Sequence, residues 1–255
     1  HNSDSKGTSD FKTKDLVIYT AISQDHDELR DPGTMDGDCD CVCFSERSLH
    51  SEVWSMRGFD EVFSDPTYTA RKPKLLPHRY FPEYEYSLWV DGNILLKRNP
   101  AFLVRTYLSR VDLALFEHPT RRTSITEEVE KCIDLGKDNP KGLRRQVQLY
   151  YDLGYRDSSR PIPTSYVILR RHNVQSVRLA MEEWWTHVLV YSKRDQISFP
   201  FVAWKNHLDF GLIDHGEMFS RYFERVPHKK GRIKRLLRRV PRRLLRVFRR
   251  LLREN

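Results

Sequence analysis

Tyr84-Glu85-Tyr86-Ser87-Leu88-Trp89-Val90-Asp91-Gly92-Asn93-Ile94 is the stretch from which the rest of the chain is read. Ser87 to Val90 is a short apolar run rich in strand-forming residues, and Gly92 breaks it. Asp91 and Asn93 therefore stand where a buried strand opens into a loop. In an open α/β sheet, ligands bind at the carboxyl ends of the strands, so two oxygen-bearing side chains there are placed for chemistry. Two hard oxygen donors one residue apart can share Mg²⁺ or Mn²⁺ and leave its other positions for a diphosphate. Asp-Gly is equally a common tight-turn dipeptide, so the turn must be weighed with its surroundings.

Working outward, Asp15 to Ile22 reads as a first buried strand and Cys39 to Phe44 as a second. Strand, crossover, strand is the opening of a parallel sheet. Asp31-Pro32-Gly33 and Asp36-Gly37 between them are turn chemistry, and no helix is evident in that crossover. Three prolines between Thr69 and Pro82 argue against a long helix there. Arg71, Lys72 and Lys74 thus read as a basic loop just ahead of the acidic turn, where a diphosphate would need neutralising or where a solvated loop would simply carry charge. Further helices are expected over Pro100–Ser109, after Thr126 and over Gln146–Leu153, and further strands over Val111–Phe116 and Thr164–Leu169. Val177, Met181, Trp184, Trp185 and Val188 recur at helical spacing, which places the tryptophan pair in the core, with a sugar-stacking platform as the alternative.

With 255 residues the chain can bury a sizeable core. Its net charge of +9 is uneven: 13 of the 44 Lys and Arg fall within residues 229–253, leaving 31 against 35 acids elsewhere. The body is near neutral and offers no basic stripe, which argues against nucleic acid as a partner. Cys39, Cys41 and Cys43 alternate along one strand with Cys132 far off, a pattern that suits reduced core cysteines. No signal peptide or 18-residue apolar run is seen, and the chain begins at His1 rather than Met. Residues 1–14 read as a disordered lead-in or tag remnant, 15–228 as one α/β domain, and 229–255 as a tail. In the tail Ile233, Leu236, Leu237, Val240, Leu244, Phe248, Leu251 and Leu252 make the apolar face of a basic amphipathic helix interrupted at Pro241. Each basic residue near an anionic surface is worth on the order of 1 kcal/mol, so 229–253 is expected to dock on a membrane, with nucleic acid or a partner helix as the alternatives.

Taken in order, Val17–Ile22 with Asp27-Glu28-Leu29, Cys43–Glu46, Arg71–His78, Trp89–Asn93, His118-Pro119 with Arg122 and Glu128, and Arg194-Asp195-Gln196 resemble the TOD/MUCI-type glycosyltransferase-like domain. That domain occurs in plant cell-wall and bacterial surface-polysaccharide proteins, and the bacterial branch is the one expected here. The resemblance implies a GT-A-like fold: a Rossmann-like, mixed but mainly parallel sheet flanked by helices. It implies a nucleotide-sugar donor, UDP-linked, a glycan or lipid-linked acceptor, and Mn²⁺ or Mg²⁺ as cofactor. Asn93 stands where the family's metal turn usually has a second acid. Thr20 and Ala21 would line the nucleoside pocket, Glu46 would meet base or ribose, and Arg71 and Lys74 would hold the diphosphate. Asp91, Gly92 and Asn93 would form the metal or ribose turn. Arg194 would flank Asp195 and Gln196, which would face donor sugar and acceptor as the catalytic pair. His118, Arg122 and Glu128 would wall the site, and a late histidine, His207 or His215, would complete the metal. The expected protein is a cytoplasmic glycosyltransferase, peripheral on the inner face of the cell membrane and working in cell-surface polysaccharide synthesis. The alternative is a scaffold that binds nucleotide or carbohydrate without turnover.

Overall fold

The computed structural model describes residues 15–24, 26–35 and 39–228. The expected lead-in, the Asp36-Gly37 turn and the amphipathic tail lie outside the described residues. The elements run β1 (Leu16–Ile22), β2 (Asp40–Ser45), β3 (Ser55–Arg57), α1 (Pro66–Leu75), α2 (Pro77–Tyr80), β4 (Tyr86–Val90), β5 (Ile94–Leu96), α3 (Ala101–Tyr107), β6 (Leu113–Glu117), α4 (Ile125–Asp134), α5 (Pro140–Asp152), β7 (Pro163–Arg170), α6 (Gln175–Val190), α7 (Asp195–Lys205), β8 (Gly211–Ile213), α8 (Glu217–Tyr222) and β9 (Phe223–Arg225).

Seven strands form one sheet in the order β3-β2-β1-β4-β7-β6-β8, and β5 pairs with β9 in a separate ribbon. Within the large sheet β7 alone is antiparallel to its neighbours β4 and β6, so the sheet is mixed and mainly parallel, as expected. The chain leaves β1 toward β2 and β3 on one side, while β4 lies on the other. That reversal between β1 and β4 is where an open α/β sheet leaves a crevice.

The period-2 pleat sorts the core into two layers. Val17, Tyr19 and Ala21 face one apolar cluster, filled by Trp184, Phe199, Phe201 and Tyr150 from the helices. Leu16, Ile18 and Ile22 face the other, which includes Leu103, Phe219 and Phe223. Trp184 is fully buried and Trp185 nearly so, confirming the pair as core. Cys41, Cys43 and Cys132 are buried free thiols, again as expected.

The segment read as a basic loop is instead helical. Asp65 caps α1 by accepting from the Thr67 amide at 2.9 Å, and Pro66 occupies the first turn, where no amide partner is lost. Pro73 lies within the helix near its end, so its breaking effect is felt only where α1 gives way to α2. No helix among the described residues is long and apolar enough to cross a membrane.

Candidate active site

A cavity of about 450 Å³ opens at the β1–β4 crevice. Its lining draws Ala21, Ile22 and Ser23 from β1 and its exit, Asp91, Gly92 and Asn93 from the turn after β4, Ser165 and Tyr166 from β7, and Arg194, Asp195 and Gln196 from the start of α7. Arg71 and Lys74 enter from α1, where their three-residue spacing puts both on one helical face. Their helical setting, not a loop, is what aims them.

Asp195 is the anchor of the inner wall and is 2% exposed. Arg71 Nη2 lies 3.1 Å from its Oδ1, and Lys74 Nζ lies 2.8 Å from its Oδ2. Lys74 also reaches Asp91 Oδ1 at 3.0 Å, bridging the two carboxylates. The Asp195 backbone is pinned as well: its carbonyl accepts from Trp184 Nε1 at 2.8 Å and from Ser198 Oγ at 3.1 Å. Burial alone would push this carboxyl up, but the charges of Arg71 and Lys74 outweigh burial and hold it far below the usual carboxylate range. The group is therefore a fixed anion at any working pH.

Cations dominate the walls: Arg71, Lys74, Lys137, Lys193, Arg194 and Arg225 against Asp27, Asp91 and Asp195. Burial, with Arg194 nearby, lowers the Lys137 ammonium below its ordinary value. Three buried donors on the lining, Arg71 Nε, Arg194 Nε and Gln196 Nε2, have no hydrogen-bond partner among the described residues. Native structures rarely leave such groups unsatisfied, and these sit where a polar, anionic ligand would meet them.

Several expected residues take other places. Thr20 is buried on the face of β1 opposite Ala21 and borders a separate small cavity, because adjacent strand residues point apart. Glu46 is not on the lining; its carboxylate accepts from Ser23 Oγ and the Gln24 amide, shaping the β1 exit. His118, Arg122 and Glu128 form their own cluster, with Arg122 Nη1 2.9 Å from His118 Nε2 and paired to Glu128. Burial first, then Arg122, pushes the His118 ring below its ordinary value. This cluster stands behind Arg194, which feels both Glu128 and Cys132. His207 lies in a different groove with Trp204 and Phe210, and His215 stacks on Phe219 at 4.7 Å, so neither lines the cavity. The expected late-histidine role is corrected accordingly.

Sequence reading missed His26, Asp27 and His228, which do line it. His228 Nδ1 stands 2.8 Å from Asp27 Oδ1, and His26 Nδ1 stands 3.1 Å from Oδ2. Burial opposes ionisation of Asp27, yet the two imidazoles hold its carboxyl well below the usual range. The signal for His228 in the sequence is that it is a further late histidine after His207 and His215. As a cation site the Asp91–Asn93 turn fits poorly by itself. Asp91 Oδ1 already accepts from Lys74 and, at 2.7 Å, from Trp89 Nε1, and Asn93 brings no charge.

The fold and the site define a mixed, mainly parallel α/β domain with a cationic cavity at its switch point. Residues 53–225 match the model of the TOD1/MUCI70, glycosyltransferase-like domain, and the chain belongs to that family. It is 34% identical over 215 residues to probable hexosyltransferase MUCI70 of Arabidopsis thaliana, covering 73% of this chain and 37% of that protein. It is 26% identical over 228 residues to alkaline ceramidase TOD1 of the same plant, covering 76% of this chain and 49% of that protein. The chain thus spans half or less of the length of these curated relatives. Solved structures with a similar fold include the WbbM bifunctional glycosyltransferase, with TM-score 0.48 and 13% identity over 78% of this chain and 38% of that one. Mouse xyloside xylosyltransferase 1 gives 0.44 and 10% over 78% and 84%. The galactosyltransferase LgtC gives 0.42 and 10% over 78% and 73%. The family assignment does not rest on these three.

Proposed function

We propose that this domain transfers a sugar from a nucleotide-sugar donor, UDP-linked, to a glycan or lipid-linked acceptor in cell-surface polysaccharide synthesis. The observation that carries the reading is the convergence of Arg71, Lys74, Arg194 and the anionic Asp195 on one cavity at the β1–β4 crevice. Breaking the sugar–phosphate bond leaves negative charge on the diphosphate, and fixed cations stabilise that charge more than they stabilise the starting donor. Arg71 and Lys74 are the residues assigned to that charge, with Asp91 and the Gly92 backbone beside the ribose and Ala21 near the nucleoside. GT-A-like transferases generally use a divalent cation, which lends the diphosphate further positive charge.

Asp195 is assigned to the sugar. A carboxylate held so far below the usual range is a weak proton acceptor, since a general base works best near the operating pH. Its place is instead to stabilise or trap the oxocarbenium-like sugar, with Gln196 orienting it. This favours a retaining transfer, in which the carboxylate stabilises the sugar, over an inverting one, in which it would act as base toward the acceptor hydroxyl. The body would work at an anionic membrane surface through residues 229–253, on the cytoplasmic face.

A relative named as a ceramidase raises amide hydrolysis as a second reading. The cavity speaks against it: among the described residues its lining is rich in charge, with Arg71, Lys74, Arg194 and Asp195 where an acyl chain would need apolar walls. One assay separates the readings. Incubation with UDP-, GDP-, CMP- and dTDP-sugars should release the free nucleotide from one donor, expected to be UDP, and the same nucleotide should raise Tm by binding the folded state. A silent donor panel with fatty acid released from ceramide would replace the transferase reading with the hydrolase one. Nucleotide binding without any release would leave the non-catalytic scaffold.

A further inference from the structure

We infer that a divalent cation is bound at the mouth of the cavity by His26, Asp27 and His228, and not by the Asp91–Gly92–Asn93 turn alone. What the ion does for a diphosphate rests on the transferase reading above; its binding does not.

The three residues come from far apart in the chain. His26 and Asp27 follow β1, and His228 follows β9. One ligand atom from each lies within 4.8 Å of the other two. Asp27 is the hinge of the set, with His228 Nδ1 2.8 Å from Oδ1 and His26 Nδ1 3.1 Å from Oδ2. Donors bound at about 2.1 Å to an octahedral ion stand roughly 3 Å apart when adjacent. Those two spacings therefore already match a coordinated arrangement. The imidazole rings are 4.8 Å apart and about half exposed, so they have room to turn their lone pairs toward a shared ion. Each ring then gives up or relocates the proton it shares with Asp27, as metal binding requires.

Two imidazoles and one carboxylate on one side leave the remaining coordination positions open toward the cavity. Two imidazoles favour a first-row transition ion over Mg²⁺ or Ca²⁺, with Fe²⁺, Co²⁺ and Zn²⁺ bound more strongly than Mn²⁺. The turn cannot compete, because the ammonium of Lys74, 3.0 Å from Asp91 Oδ1, repels a cation placed on that oxygen. The two features nonetheless touch. A Cβ at position 92 would lie 3.3 Å from Asp27 Oδ2, so Gly92 is the residue that lets the turn close over the carboxylate.

Direct binding of Mn²⁺ to the full chain without nucleotide, followed by calorimetry and by loss of the free-ion electron resonance signal, tests the site. His26→Ala, His228→Ala and Asp27→Asn should each weaken Mn²⁺ binding by about tenfold or more, since even indirect partners of a ligand cost that much. Asp91→Asn should change it less than about threefold. Cu²⁺ loaded as a spectroscopic probe should show two nitrogen couplings, falling to one in either histidine variant. Both histidines are half exposed, so these variants keep the fold. Loss of Mn²⁺ in Asp91→Asn with unchanged binding in the histidine variants would overturn the assignment, as would the absence of nitrogen coupling. Titration with UDP in the same experiment keeps the two readings apart. Mn²⁺ binding with no UDP binding would sink the donor assignment and leave the metal site standing.

Discussion

Asp195 and Asp27 face the same cavity, and each touches two nitrogen bases, yet they behave as opposites. Asp195 is nearly sealed, and its partners Arg71 and Lys74 carry permanent charge. Asp27 meets His26 and His228, which stand about half in solvent and are charged only when protonated. The inner pair is thus a fixed electrostatic frame, while the outer one can surrender its protons and regroup around something else. On the proposed reading, the first would hold a leaving diphosphate while the second adapts the entrance.

The comparison breaks most sharply at Asp195. Asp195→Asn leaves two buried cations facing a neutral amide, and removing one member of a buried pair costs about 3–5 kcal/mol. Urea unfolding should show that loss, and nucleoside diphosphate release should vanish while UDP still raises Tm. Near-normal release would remove Asp195 from the chemistry. Lys74→Met should follow, weakening UDP binding by roughly ten- to a hundredfold, the worth of one or two charge-assisted hydrogen bonds. An unchanged dissociation constant in calorimetry would show that the frame does not meet the phosphates.

A third histidine sharpens the contrast with the exposed pair. His172 is fully buried, with Nε2 2.7 Å from the Phe81 carbonyl, and burial lowers its pKa from 6.5 to about 4. A ring that resists protonation when folded stabilises the fold above pH 6.5. That contribution is lost as pH falls toward 4, because the unfolded chain takes the proton first. Stability should drop by on the order of 2 kcal/mol across that window. His172→Gln should flatten this part of the pH profile; an unaltered slope would assign the loss elsewhere. The smallest effect belongs to the rim: His26→Ala should shift metal-free stability by no more than about 0.5 kcal/mol. A larger change in the thermal melt would mean that the outer pair is structural after all.

Much of this was legible beforehand because it is written locally. The apolar runs of β1, β4 and β7 and the helical spacing around Trp184 declare themselves within a few residues. Arg71, Lys74 and Asp91 were readable as charges at an acidic turn, whereas Asp195 was reached only through the family resemblance of Arg194-Asp195-Gln196. Helix α1 was obscured by counting prolines as breakers without their position, although Asp65-Pro66 is a cap followed by a first-turn proline. Thr20 was grouped with Ala21 where strict alternation would have parted them. The outer triad joins positions at opposite ends of the chain through the β5–β9 ribbon, and no local pattern encodes such a meeting.

The pairing of β6 with β7 jumps from Leu115↔Ile168 to Phe116↔Thr164, so residues 165–167 have no partner on β6. Regular pleating sends neighbouring side chains to opposite sides, and only an extra length of strand lets Ser165 and Tyr166 both border one chamber. Shortening this segment by a single residue would leave two unmatched positions in place of three, change the alternation there and turn one of the two away. The chamber would lose part of its floor with every charged group still in place, so its shape depends on a count of backbone units as much as on side-chain chemistry.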